Sequence, residues 1–187
     1  MTEIILFHHA QGLTPGVVAF ADVLRSAGHT VHTPDLYSGE TFTTLDNGVA
    51  HIEKLTMNAI IEQGVRAADD LPDELVYMGM SLGVMPAQKL AQNRAGAKAA
   101  VFLHSSADPS YFGSWPGGLR AQIHTMQDDD WGDVEVGRDL AAKIDTIELF
   151  LYPGDAHLFT DNSLAAYDEG AATLVEQRVL AFLDDIG

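Results

Sequence analysis

A serine stands between two glycines in Gly79-Met80-Ser81-Leu82-Gly83, the stretch of this chain best placed to do covalent chemistry. An apolar run, "ELVYM", leads into it, and a helical pattern, "SLGVMPAQKLAQNRAG", follows at once. When a strand turns that sharply into a helix, the central residue is held in a strained conformation with its hydroxyl exposed. A Cβ on either flanking residue would strike the neighbouring strand or helix, and the helix amino end adds a positive dipole beside a developing oxyanion. The plainer alternative is an ordinary strand-to-helix turn capped by Ser81.

A serine hydroxyl is a poor nucleophile without a base to take its proton and a carboxylate to orient that base. In a strand-turn-helix site of this kind the expected chain order is Ser, then Asp or Glu, then His. Three histidines lie downstream of Ser81. His124 falls inside an apolar strand pattern and reads as a packed core residue. His104 closes a strand and could line the pocket, whereas His157 lies in "YPGDAHLF", after the last strand, and is the best base. The acid should come from "QDDDWGD", where Asp128, Asp129, Asp130 and Asp133 all qualify and spacing does not choose among them. An oxyanion hole needs two backbone N–H groups. Leu82 supplies one, and "HHAQGLTPG" the other, with Ala10 preferred, Gln11 next, and Gly12 allowing close approach. The histidines and the Asp triplet lack metal-ligand spacing, so neither a metal nor a cofactor is expected.

Positioning these groups needs a sheet. Short apolar runs at "EIILFHH", "HTVHTPDL", "ELVYM", "AKAAVFLHSS", "RAQIHTM" and "TIELFLYPG" alternate with helical patterns. The first helix starts at Thr14-Pro15; another pattern runs from Leu45 to Pro72 as one long helix; the last spans 164–186. Pro86 falls early in the helix after Ser81 and predicts a kink there. Strands alternating with helices imply a single α/β domain over residues 1–187, a mostly parallel six-stranded sheet with helices on both faces; for a sheet carrying a nucleophile turn of this kind the expected order is 2-1-3-4-5-6. Ligands then sit beyond the carboxyl ends of the strands.

Composition narrows the function. Ten Lys and Arg against 27 Asp and Glu give a formal charge of −17. That repels phosphate backbones and anionic lipid, so neither nucleic acid nor membrane is an expected partner. The absence of cysteine excludes disulfides and cysteine catalysis. With neither a signal-peptide pattern nor a long apolar span, the expected compartment is the cytoplasm and the expected state a monomer or homodimer. A nucleotide-binding reading fails because "GMSLG" has neither phosphate-cradling spacing nor a basic residue.

Four segments together, "HHAQGLTPG", "PDLYSG", "GMSLG" and "LFLYPGDAHLFTDNS", resemble the dienelactone hydrolase family, a compact branch of the α/β-hydrolases. The resemblance runs over nearly the whole chain and implies a fold without a cap domain. It points to Asp129 as the acid, giving Ser81, Asp129 and His157 as the triad, with Ala10 and Leu82 as oxyanion donors. It also implies a small ester, lactone or thioester as substrate, in a shallow site formed with His9, Gln11, His104, Phe112, Trp115 and Trp131. Serine replaces the namesake cysteine. Asp161 and the Ser38-Gly39-Glu40 segment stand where the namesake enzymes hold a substrate carboxylate with arginines, and His9 stands where the family has a glutamate. The contrasting expectation is a small-molecule binding protein that keeps this fold without catalysis.

Overall fold

The computed structural model describes residues 1–187. Six strands, β1 (Glu3–Phe7), β2 (Thr30–His32), β3 (Val76–Met80), β4 (Ala99–Leu103), β5 (Arg120–Met126) and β6 (Ile147–Tyr152), form one sheet in the order β2-β1-β3-β4-β5-β6. Each neighbouring pair is parallel. Strand order reverses between β1 and β3, which opens a crevice at their carboxyl ends and sets the loop after β1 beside Ser81.

Both faces are buried, and strand residues divide between them with period two. Ile4, Leu6, Met78, Met80, Val101 and Leu103 pack under α1 (Pro15–Ser26) and α6 (Glu169–Ile186). Ile5, Phe7, Tyr77 and Phe102 face the opposite layer, built by α3 (Met57–Arg66), α4 (Val84–Asn93) and α5 (Val134–Lys143).

Three helix boundaries differ from the sequence pattern. The segment expected as one helix over 45–72 is two, α2 (Leu45–Leu55) and α3, broken at Thr56 with φ 70°. Thr56 donates its N–H to Ile52 O and accepts from Ala59 N with its hydroxyl, closing one helix while capping the next. The halves have different partners: Gly48 of α2 lies against the Ala10 carbonyl, and Gly64 of α3 against Pro86 of α4. The last helix starts at Glu169 rather than near 164, because the Asp168 carboxylate accepts from Ala171 N and sets the N-cap. The helix after Ser81 begins with a 3-10 turn over Ser81–Gly83, which moves Pro86 into the first turn of α4, where a missing N–H costs nothing. The helix runs on from there to Asn93.

Two histidines are part of the core. His8 donates from Nδ1 to His9 O at 2.8 Å and accepts from Leu36 N at Nε2, 3.0 Å; burial pushes its pKa down to about 4. His124 stacks on Phe150 and bonds Tyr152; burial, then the Arg178 charge, push it down to about 3. Both are neutral in the folded state and titrate near 6.5 when unfolded. The unfolded chain therefore binds protons more readily below pH 6.5, and stability falls as pH drops from there toward 4. The loss is about 2 kcal/mol per histidine at pH 5. Urea unfolding should show a midpoint markedly lower at pH 5 than at pH 7; an unchanged midpoint contradicts this account.

Candidate active site

Ser81 sits at the end of β3 with φ 49°, a left-handed conformation that an L residue adopts only under constraint. The constraint comes from the two glycines. A Cβ on Gly79 would collide with the Gly83 carbonyl, and one on Gly83 with the Phe7 carbonyl of β1. The backbone can thus turn tightly against both neighbours, and Ser81 is left at the turn with its side chain toward the crevice.

The structure brings Ser81, His157 and Asp129 into one hydrogen-bonded chain. Ser81 Oγ lies 2.8 Å from His157 Nε2, and His157 Nδ1 lies 2.7 Å from Asp129 Oδ2. Asp129 is buried, and its other oxygen accepts from Trp131 N at 2.9 Å, which fixes the carboxylate plane. Asp128 and Asp130, which spacing does not separate from it, are exposed. Asp133 begins α5 and accepts from Ser105 Oγ. With an ionised Asp129 accepting from Nδ1–H, the imidazole presents a bare Nε2 to the serine proton.

The loop after β1 holds the two N–H groups expected as candidates for the second backbone donor. Gln11 N–H is committed to His9 Nδ1 at 3.2 Å, while the Ala10 N–H makes no bond within the protein. This separates the two candidates left open by the sequence: Ala10 is free to donate and Gln11 is not. Leu82 follows Ser81 directly in the 3-10 turn.

Most residues expected to touch substrate lie elsewhere. His9 is fully buried and bonds Asp161 Oδ2 at 2.7 Å. Gln11 turns its amide away to donate to Phe42 O at 2.9 Å, and Phe42 N donates back to Gln11 O. His104 is fully buried in a left-handed conformation, φ 68°, sharing a 2.8 Å bond with Thr160 Oγ1. Burial, then the neighbouring His157, drive its pKa well below the usual histidine range, so it stays neutral beneath His157 and does not compete for the proton. Phe112 and Trp115 are displaced for a different reason. Gln88 grips Ala107, Gln92 holds Pro109 and Gly113, and Asn93 holds Phe112, so the 104–119 segment runs back along α4. Phe112 is thereby drawn to the far end of a ten-residue helix, about 15 Å from its start. Trp115 packs edge-on against Phe102 and donates to Leu119 O. Of the expected walls only Trp131 stands at the site, its ring centroid 6.5 Å from that of His157 and its surface 53% exposed.

Sequence reasoning missed the residues that hold the loop. Asp161 accepts from His9, from Thr14 and Ser163 hydroxyls, and from Ser163 N. It also lies so close to α1 that a Cβ on Gly16 would collide with its carboxylate. Burial alone would raise its pKa, but the bonds from His9, Ser163 and Thr14 outweigh burial and hold it down at about 2. The one signal available was its place four residues beyond His157.

A parallel sheet with strand order 2-1-3-4-5-6 and a serine in a left-handed turn at the end of the third strand defines an α/β-hydrolase. The model of the dienelactone hydrolase family matches residues 1–187. The chain belongs to that family and, with it, to the carboxylic ester hydrolases. No curated protein sequence matches it. Similar solved structures include a dienelactone hydrolase-like promiscuous phosphotriesterase from metagenomic libraries, at 15% identity and TM-score 0.75, covering 100% of this chain and 87% of that one. A dienelactone hydrolase from Anabaena variabilis shares 20% identity at TM-score 0.71, covering 99% and 87%. Thermogutta terrifontis esterase 2, phosphonylated by sarin, shares 15% identity at TM-score 0.72, covering 100% and 84%. At these identities the likeness is one of fold. No helix is long and apolar enough to cross a membrane.

Proposed function

We propose that this protein is a serine hydrolase of small neutral esters, lactones or thioesters. Ser81 Oγ attacks the acyl carbon as His157 Nε2 takes its proton, and the oxyanion is received by the Ala10 and Leu82 N–H groups. Histidine then protonates the leaving oxygen or sulfur, and water, activated by the same imidazole, releases the acid and restores Ser81. Asp129 holds the ring in the required tautomer and stabilises the imidazolium. The observation that carries this reading is the continuous Ser81–His157–Asp129 hydrogen-bond chain, 2.8 and 2.7 Å, ending on a serine at a strained turn. The test is a fluorophosphonate probe, which reacts with an activated serine. Labelling mapped to Ser81 and lost on heat unfolding is expected; no label on the folded protein favours the binding-protein alternative.

Charge narrows the substrate. The loops at the carboxyl ends of the strands, 8–14, 33–44, 104–119, 127–133 and 153–168, contain no lysine or arginine, while Asp128, Asp130, Asp133 and Asp155 lie beside Asp129 and His157 in sequence. An anionic substrate would meet repulsion without a compensating cation. A neutral ester should therefore exceed its carboxylate-bearing analogue in kcat/KM by about tenfold or more, with the gap narrowing as salt is raised. Equal rates at low ionic strength would remove charge as a determinant.

A further inference from the structure

The chain holds a second buried Asp–His pair, and its imidazole is aimed at a backbone N–H instead of a hydroxyl. His9 and Asp161 are both fully buried, with Nε2 and Oδ2 2.7 Å apart. Asp161 is anchored at the amino end of α1 by Thr14 and Ser163, where the helix dipole favours a carboxylate. An ionised carboxylate accepts only, so His9 Nε2 carries the proton. The opposite nitrogen, Nδ1, is then a bare lone pair, and it accepts from Gln11 N–H at 3.2 Å.

That single bond sets the orientation of the Ala10–Gln11 peptide. With Gln11 N–H turned inward to His9, the Ala10 carbonyl must face the other way, where it meets α2 at Gly48; a side chain at 48 would collide with it. If this peptide flipped, the carbonyl oxygen would face the His9 lone pair, acceptor against acceptor. The loop is also closed by Gly12 N donating to His9 O and by the Gln11–Phe42 bonds. The Ala10 N–H, one peptide earlier, makes no bond within the protein.

We infer that His9 and Asp161 are positioning residues: the pair locks the Ala10–Gln11 peptide so that the Ala10 N–H stays aimed into the crevice as an oxyanion donor. The inference rests on the proposed acyl-transfer function, because it assigns a donor for that reaction's intermediate. It also joins the donor loop to the base loop, since Asp161 follows His157 in the same segment.

Two substitutions divide the work of His9. His9→Asn keeps an acceptor at the Nδ1 position and loses the reach to Asp161; His9→Gln keeps a donor for Asp161 and loses the Nδ1 acceptor. With p-nitrophenyl acetate, His9→Gln should lower kcat about 10²-fold with KM nearly unchanged, and weaken a trifluoromethyl ketone inhibitor to a similar degree, as loss of a donor used in the transition state requires. His9→Asn should lose clearly less kcat and less inhibitor affinity than His9→Gln, because the acceptor facing Gln11 N–H survives, even if it melts lower. Equal losses in the two variants, or wild-type kcat and inhibitor affinity in His9→Gln, would overturn the assignment. Amide exchange followed by NMR in the wild-type protein needs neither variant to fold. It should show Gln11 N–H protected, Ala10 N–H exchanging, and His9 protonated at Nε2; a proton on His9 Nδ1, or protection at Ala10 instead of Gln11, would also overturn it. If the wild type neither turns over ester nor labels at Ser81, the proposed function fails, while the exchange pattern still reports on the lock.

Discussion

Ser81→Ala is expected to reduce kcat for p-nitrophenyl acetate by about 10⁴-fold or more and to abolish fluorophosphonate labelling. The size follows from the mechanism. Without Oγ no acyl-enzyme forms, and only direct attack by water is left, helped by the oxyanion donors and substrate binding; such remnants retain a small part of the total acceleration. The substitution should not disturb the fold. Alanine is an L residue like serine, so the strain at φ 49° is unchanged, and the loss is confined to one partly buried hydrogen bond to His157. A thermal midpoint within a few degrees of wild type, together with lost turnover, separates chemistry from stability. Retained turnover would end the proposal that Ser81 is the nucleophile.

Asp129→Asn is the second large effect, with an expected loss of about 10³- to 10⁴-fold in kcat. The carboxylate now accepts from His157 Nδ1 while its other oxygen accepts from Trp131 N. An asparagine that keeps its oxygen on Trp131 N must turn its NH₂ toward His157. Nδ1 then becomes an acceptor, the ring proton moves to Nε2, and the nitrogen facing Ser81 can no longer take a proton. Asp128→Asn and Asp130→Asn remove equal charge from the same exposed turn without touching the histidine, and both should leave kcat within about twofold, since single exposed charges contribute little. Steady-state rates of the three variants decide between them. A silent Asp129→Asn beside an inactive neighbour would move the acid elsewhere in the loop.

The departures from the namesake pattern gain meaning in three dimensions. His9 and Asp161, each unexpected alone, meet as one buried pair. Asp161 is turned inward, satisfied by Thr14, Ser163 and His9. The site is left without a fixed positive side chain, in accord with the preference for neutral substrates proposed above.

The order of elements was legible in the sequence because it rests on local signals. Apolar runs of strand length, caps such as Thr14-Pro15 and the Gly79–Gly83 spacing each depend on neighbours a few residues away, and together they gave the succession of strands and helices and the turn at Ser81, from which the fold and its strand order were expected. Element boundaries were less legible where a side chain rival to the pattern intervened, as Thr56 and Asp168 do.

What the tertiary structure alone decided are the contacts between segments far apart in the chain. Spacing limited the acid to a short aspartate run and the family resemblance pointed to Asp129; packing buries Asp129 and leaves Asp128 and Asp130 in water. Sequence offered six residues as substrate walls; glutamine and asparagine bonds along α4 carried Phe112 and Trp115 away, and burial withdrew His9, Gln11 and His104. The reason is physical: a residue's type and period follow from local backbone geometry, whereas which of several equivalent polar groups is desolvated and paired depends on surfaces that meet only once the chain has folded.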